Sequence, residues 1–254
     1  MTVVLHFLSK KAHFLPQIVQ DGVVCLAMDP ATLERLIVKE IRKAKEISRR
    51  DLADRLGIAK STAGRRIDSM IERGIVRETG IEERKEVGRP RRFLDLQGTY
   101  GCYAGFDFDA RHLQAVLIDF SQQVVERRKV RLSSRPDREE VIGHLRQIIT
   151  EFRKHPAASP LIAVGVGVPG HVRRESRVSV YYPFITDWRN VDLAAELELD
   201  PAVLHIENNT RAILLGEYWL GPLAAASNLV CVNVRTGISA AVIANGSLIA
   251  VSSP

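Results

Sequence analysis

The 254-residue sequence predicts an α/β chain in two parts: a small basic helical module with a β wing, then a lobe of alternating strands and helices. Two observations carry the division. Residues 1–98 hold 20 Lys and Arg against 14 Asp and Glu, whereas the rest holds 16 of each, so the whole excess of +6 sits in the first part. The apolar pattern changes there too, from helical 3.6-residue spacing to short apolar runs from Gly101 onward. The expected boundaries are an extension over 1–29, the helical module over 30–98 and the lobe over 99–254.

The extension begins with an apolar segment that precedes Lys10–Lys11 and is followed by no small-residue cleavage site. No role is assigned to it. ATLERLIVKEIRKAKE (31–46) places Leu33, Leu36, Ile37, Ile41 and Ala44 on one helical face. In SRRDLADRLG (48–57), Ser48 and Asp51 have capping-box spacing, Leu52, Ala53 and Leu56 face inward, and Gly57 terminates the helix. KSTAGRRIDSMIERG (60–74) buries Ala63, Ile67, Met70 and Ile71 and turns Lys60, Ser61, Thr62, Arg65 and Arg66 outward. Ala59 stands where Ser or Thr would cap this third helix.

A short helix, a tight turn and a third helix with a small, polar and basic outer face make a helix-turn-helix. A plain three-helix bundle has the same periodicity, so the next segment decides. IVRETGIEERKEVGRPRRFLDL (75–96) reads as strand, charged turn, strand, which is a wing, and near its far end stands Gly88-Arg89-Pro90-Arg91-Arg92. Gly and Pro keep such a segment extended while arginine reaches out, a form suited to a narrow minor groove. The expected partner is double-stranded operator DNA. Ser61, Thr62 and Arg65 would read bases, and Lys60, Arg66, Arg89 and Arg91 would hold phosphate or groove.

In the second part YAGFDF and LQAVLIDF read as strands, REEVIGHLRQIITEFRKH (138–155) as an amphipathic helix, and LIAVGVGVPG (161–170) as a buried strand ending in a Pro-Gly turn. NVDLAAELE (190–198) reads as a short helix and VLHIENN (203–209) as a strand entering the helix TRAILLGEYWLG. NLVCVNV and RTGISAAVIANGSLI form a last hairpin with apolar strand faces over 229–243. This order predicts an actin-like or RNase-H-like lobe.

Hydrophobic residues make up 46% of the chain, but no run reaches ~18 apolar residues, so no membrane partner is expected. Cys25, Cys102 and Cys231 are odd in number and far apart, which fits a reducing compartment, and the expected location is the cytoplasm. His112, His144, His155, His171 and His205 are scattered without metal-ligand spacing.

GFDFDARHLQAVLID, VGVGVPGHV, YYPFITDWRNVDL, IENNTRAILLGE and VRTGISAAVIANGSL occur in the order and spacing of the ROK family, which this chain resembles over residues 31–254. That family unites sugar-responsive repressors, which carry a winged helix ending in a GRP element, with sugar kinases. The resemblance implies a DNA-binding regulator, a repressor of carbohydrate-related genes acting as a homodimer and sensing a sugar-like effector. Gly170, Glu207 and Asn208 match positions lining the family's sugar cleft, and Phe184 stands where the family has a sugar-binding asparagine.

The kinase members cradle phosphate in an Asp-x-Gly-Gly-Thr hairpin. Here Asp107 is followed by Asp109, Ala110 and Arg111, and a carboxylate repels the γ-phosphate. The kinase general base is Asn209 in this chain, and an amide takes no proton near neutral pH. The second phosphate hairpin reads Arg235-Thr236-Gly237-Ile238-Ser239, with two of three family glycines replaced. No phosphoryl transfer is therefore expected. The resemblance places the family's zinc motif beyond residue 254, so no cofactor is expected from the residues present and the second lobe is expected to be incomplete. Two alternatives stay open: a working hexose kinase with a DNA-binding appendage, and a regulator that has lost effector sensing.

Overall fold

A computed structural model describes residues 29–44, 46–81, 92–156, 160–221, 223 and 226–249. The extension over 1–28, Cys25, Arg89 and Arg91 lie outside the described residues. The chain separates into two compact units between Tyr100 and Gly101.

The first unit contains α1 (Pro30–Lys43), α2 (Arg49–Leu56), α3 (Lys60–Glu72), β1 (Val76–Ile81) and β2 (Arg92–Leu96), the strands pairing antiparallel. Asp29 caps α1, its carboxylate accepting from the Ala31 and Thr32 amides, with Pro30 in the first helical position. Ser48 and Asp51 form the expected capping box on α2. Gly57 ends that helix at φ +62°, a left-handed conformation that glycine adopts without Cβ strain. Ala59 leaves α3 without a side-chain cap. Leu33, Ile37, Ile41, Leu52, Ala63, Ile67 and Met70 of the helices and Val76, Leu94 and Leu96 of the wing are all buried. Two sequence-based ends move inward. The first helix stops at Lys43 because Ala44 turns extended, and the third at Glu72 because Arg73 and Gly74 form a turn.

The second unit is built on a five-stranded sheet in the order β10-β6-β3-β4-β5, from β3 (Cys102–Phe108), β4 (His112–Asp119), β5 (Val124–Arg131), β6 (Leu161–Val168) and β10 (Leu204–Asn208). β10, β6 and β3 run parallel, while β3, β4 and β5 form an antiparallel meander. The helix α4 (Arg138–Lys154) buries Val141, Leu145, Ile148 and Phe152 against Phe106, Phe108, Leu113 and Val166. On the edge strand β5, Arg127, Lys129 and Arg131 are exposed, and a row of like charges keeps another strand from adding there.

A three-stranded sheet of β7 (His171–Arg173), β8 (Val178–Tyr181) and β9 (Arg189–Asp192) follows. Trp188 fixes its base: the indole N–H donates to Ser179 Oγ at 2.7 Å and the ring meets Phe108 edge-on at 5.1 Å. The helix expected over 190–198 is corrected to α5 (Leu193–Leu197). Val191 is buried in the β8–β9 pair instead, and the Asp192 carboxylate caps the helix. The last layer is α6 (Asn209–Leu220) with β11 (Leu229–Val234), β12 (Ile238–Ala244) and β13 (Ser247–Leu248). Leu214 and Leu215 of α6 pack on Ala241 and Ile243, whereas Val230, Val232, Val234 and Ile238 share the opposite, exposed face, the apolar face read from 229–243.

Candidate nucleic-acid interface and effector cleft

In the first unit the outer face of α3 carries Lys60, Ser61 and Arg65 in solvent, with Thr62 half-buried beside them. The uncapped first turn leaves its amide N–H groups and partial positive charge on the same end as Lys60. Arg66 is placed differently. It pairs with Glu34 of α1 at 3.2 Å, and Arg73 reaches the other oxygen of that carboxylate at 2.6 Å. Arg66 therefore ties α3 to α1.

A chain of charges missed in the sequence joins the wing to the helices. Arg49, at the start of α2, pairs with Asp68 of α3 at 2.5 Å and with Glu78 of β1 at 3.0 Å; Glu78 also accepts from Arg92 of β2 at 2.7 Å. The Arg92 hydrogen bond, opposed by burial and helped by Arg49, holds the Glu78 carboxyl below its ordinary value. No local spacing marks these pairs, since their members stand on four different elements.

The second unit gathers the motif residues at the ends of its strands. Asp107 is the last residue but one of β3 and Asp109 opens the β3–β4 turn, its carboxylate accepting from the Arg111 and His112 amides at 2.7 and 2.9 Å. Arg235, in the β11–β12 turn, reaches across to both: its Nη1 lies 2.6 Å from Asp107 Oδ2 and 3.8 Å from Asp109 Oδ2. Two of the sequence's departures from the kinase pattern, Asp109 and Arg235, thus stand together. Burial pushes the Asp107 carboxyl above its usual value and the Arg235 guanidinium opposes that shift. Its second oxygen, Oδ1, is buried without a hydrogen-bond partner. Burial raises the pKa of the Tyr182 hydroxyl, and Thr236 Oγ1 is buried without a hydrogen-bond partner.

Of the four residues expected at the effector cleft, Gly170, Asn208 and Glu207 are joined by hydrogen bonds, and Phe184 stands on the Tyr182 edge. Gly170 takes φ +75° in the β6–β7 turn, and a Cβ there would stand 2.2 Å from the Tyr181 carbonyl oxygen, so only glycine fits. Asn208 is committed at both ends: its Oδ1 accepts from the Thr210 and Arg211 amides as the α6 cap, and its Nδ2 donates to the Gly170 carbonyl at 2.9 Å. Glu207 is fully buried, with Arg174 at 3.2 Å, Arg211 at 3.8 Å and the Asn208 amide on its carboxylate. Phe184 is 48% exposed, meets Tyr182 edge-on at 5.5 Å, and faces Gly237 of the β11–β12 turn. Asn209, the first residue of α6, is buried beside Thr210. Among the described residues no three His, Cys, Asp or Glu side chains cluster as metal ligands, and no helix is long and apolar enough to cross a membrane.

Comparisons with known proteins place both units. Residues 31–77 match the winged helix-turn-helix DNA-binding model. Curated relatives include the xylose repressor of Caldicellulosiruptor bescii, 27% identical over 216 residues that cover 84% of this chain and 54% of the relative. The xylose repressor of Bacillus subtilis is 28% identical over 85% of this chain and 56% of its own length. The chain thus spans about half the length of these relatives. The fold matches the crystal structure of a ROK family transcriptional regulator described as a homologue of the E. coli MLC protein, with a TM-score of 0.67, 22% identity, and coverage of 87% of this chain and 57% of that one. Residues 103–251 match the ROK family model, more than half of the sequence, and the chain belongs to the ROK family.

Proposed function

We propose that the chain is the DNA-binding and effector-sensing portion of a transcriptional repressor of carbohydrate-related genes, and that its lobe senses a sugar-like molecule without phosphorylating it. One observation carries the reading: a winged helix with Lys60, Ser61 and Arg65 turned outward stands on the same chain as a ROK lobe whose hairpin turns are joined by an Arg235–carboxylate cluster. The names of the xylose repressors support the carbohydrate assignment.

In this reading Ser61, Thr62 and Arg65 meet base edges and Lys60, Arg89 and Arg91 meet phosphate or groove, while Arg66 holds the recognition helix on α1. Phe184 offers the effector an apolar platform, and Gly170, Glu207 and Asn208 fix the strand ends behind it. Asn209 supplies no base for a sugar hydroxyl, and losing a general base alone costs ~10²–10⁴-fold in rate. The reading calls for no cofactor from these residues, places the protein in the cytoplasm and pairs two copies on half-sites ~34 Å apart.

Fluorescence anisotropy on DNA from upstream of the protein's own gene tests this, against a scrambled duplex and with Arg65→Ala. Selective binding that Arg65→Ala abolishes is expected, with a loss of ~10³–10⁵ in affinity between 50 and 200 mM salt for ~6–10 phosphate contacts. Equal affinity for both duplexes would contradict the reading.

A further inference from the structure

The lobe contains two separate apolar clusters. One fills the space between the five-stranded sheet and α4; the other is small and joins Leu214 and Leu215 to Ala241 and Ile243. A sheet packed on its own cluster can tilt against its neighbour as a body, because packed cores resist deformation while the contacts between them exchange. At one side β11–β13 is carried by α6, with Thr210 hydrogen-bonded to Asn233 and to Ser239. At the other side the link is ionic. Arg235 spans 128 positions of sequence to reach Asp107, and among the described residues no other ion pair joins this sheet to the five-stranded one.

We propose that the Arg235–Asp107–Asp109 cluster is a latch that seats the β11–β12 turn on the Tyr182–Phe184 edge, and that the effector acts by changing whether the latch is closed. This rests on the reading of the lobe as an effector sensor. The geometry couples the two events. A Cβ added at Gly237 would stand 3.9 Å from the Phe184 ring, which itself meets Tyr182 edge-on, so a ligand settling on Phe184 competes with the turn for the same surface. The energetics suit a switch. Desolvation of a buried ion pair nearly cancels its attraction, so closed and open forms lie close in free energy. Asp107 Oδ1, buried without a partner, adds to the closed form a cost that hydration on opening removes.

One nitrogen of Arg235, Nη1, faces both carboxylates, hydrogen-bonded to Asp107 and 3.8 Å from Asp109, so a lysine ammonium could reproduce part of the contact. Arg235 is accordingly a positioning residue for the effector edge, and its substitution separates this role from plain stability.

Hydrogen exchange on the full chain is the first readout, comparing wild type, Arg235→Ala and Arg235→Lys. The latch predicts exchange about tenfold faster in β11 and β12 of Arg235→Ala, unchanged exchange in β3 and β6, and partial recovery in Arg235→Lys. Unchanged exchange in β11 and β12, or faster exchange throughout the lobe, would overturn it. The second readout is the D-xylose concentration that half-releases upstream DNA, expected to shift about fivefold or more in Arg235→Ala. Faster exchange without that shift overturns the regulatory role. A wild type that releases no DNA at any D-xylose or D-glucose concentration overturns the effector reading itself, with the exchange result standing apart from it.

Discussion

Glu78 and Asp107 are both carboxylates facing arginine, and their environments push them in opposite directions. Glu78 is held below its ordinary 4.5 by Arg92. The unfolded chain therefore takes up that proton first as pH falls, so the stabilisation is full above about 4.5 and disappears through the lower folded value. Glu78→Gln is expected to lower the thermal midpoint of the winged helix at pH 7, with the difference from wild type shrinking as pH falls below the ordinary 4.5. A difference that persists in acid would assign Glu78 a packing role instead. Asp107 has the reverse sign: burial raises it, so the folded chain binds the proton first and the group opposes folding as pH rises through the window above 3.8. A buried carboxylate kept under that penalty fits a residue retained for its partner Arg235 rather than for stability.

Helix ends show how far local chemistry was legible. Ser48, Asp51 and Gly57 declared the limits of α2 because capping and left-handed termination are decided within a few residues. The strands β7, β8 and β9 did not declare themselves: each has three or four residues, rich in Arg, Ser and Tyr, and gains its order from Trp188 and Val191 beneath it. β5 escaped notice for a related reason, since an edge strand carrying Arg127, Lys129 and Arg131 lacks the apolar run of a buried one. The motifs at Gly170, Phe184, Glu207 and Asn208 were visible as positions, but not that Glu207 is sealed between two arginines or that Asn208 is spent on a cap. The Arg174 and Gly170 partners of these residues lie more than thirty positions away, beyond any local pattern. The two caps offer a matched prediction. Ser48→Ala should destabilise the first unit by about 1 kcal/mol and Ala59→Ser should stabilise it by a similar amount, measured by denaturant unfolding. Equal midpoints for all three proteins would mean that tertiary packing alone sets these helix ends.

Across the whole molecule, charge and apolar surface are sorted by task. The excess positive charge lies with the helical module, while the lobe is neutral and keeps its arginines 174, 211 and 235 on carboxylates. The exposed face of Val230, Val232, Val234 and Ile238 is a contiguous apolar surface of the kind that marks an interface. The central claim is that a ROK lobe without phosphoryl transfer governs a winged helix on DNA. Its most direct test is one cuvette, holding labelled upstream duplex and the protein with Mg-ATP, titrated with D-xylose while anisotropy and ADP release are followed together. The account predicts that sugar changes the anisotropy, that omitting ATP leaves the curve in place, and that no ADP appears. ADP produced in step with sugar would contradict it.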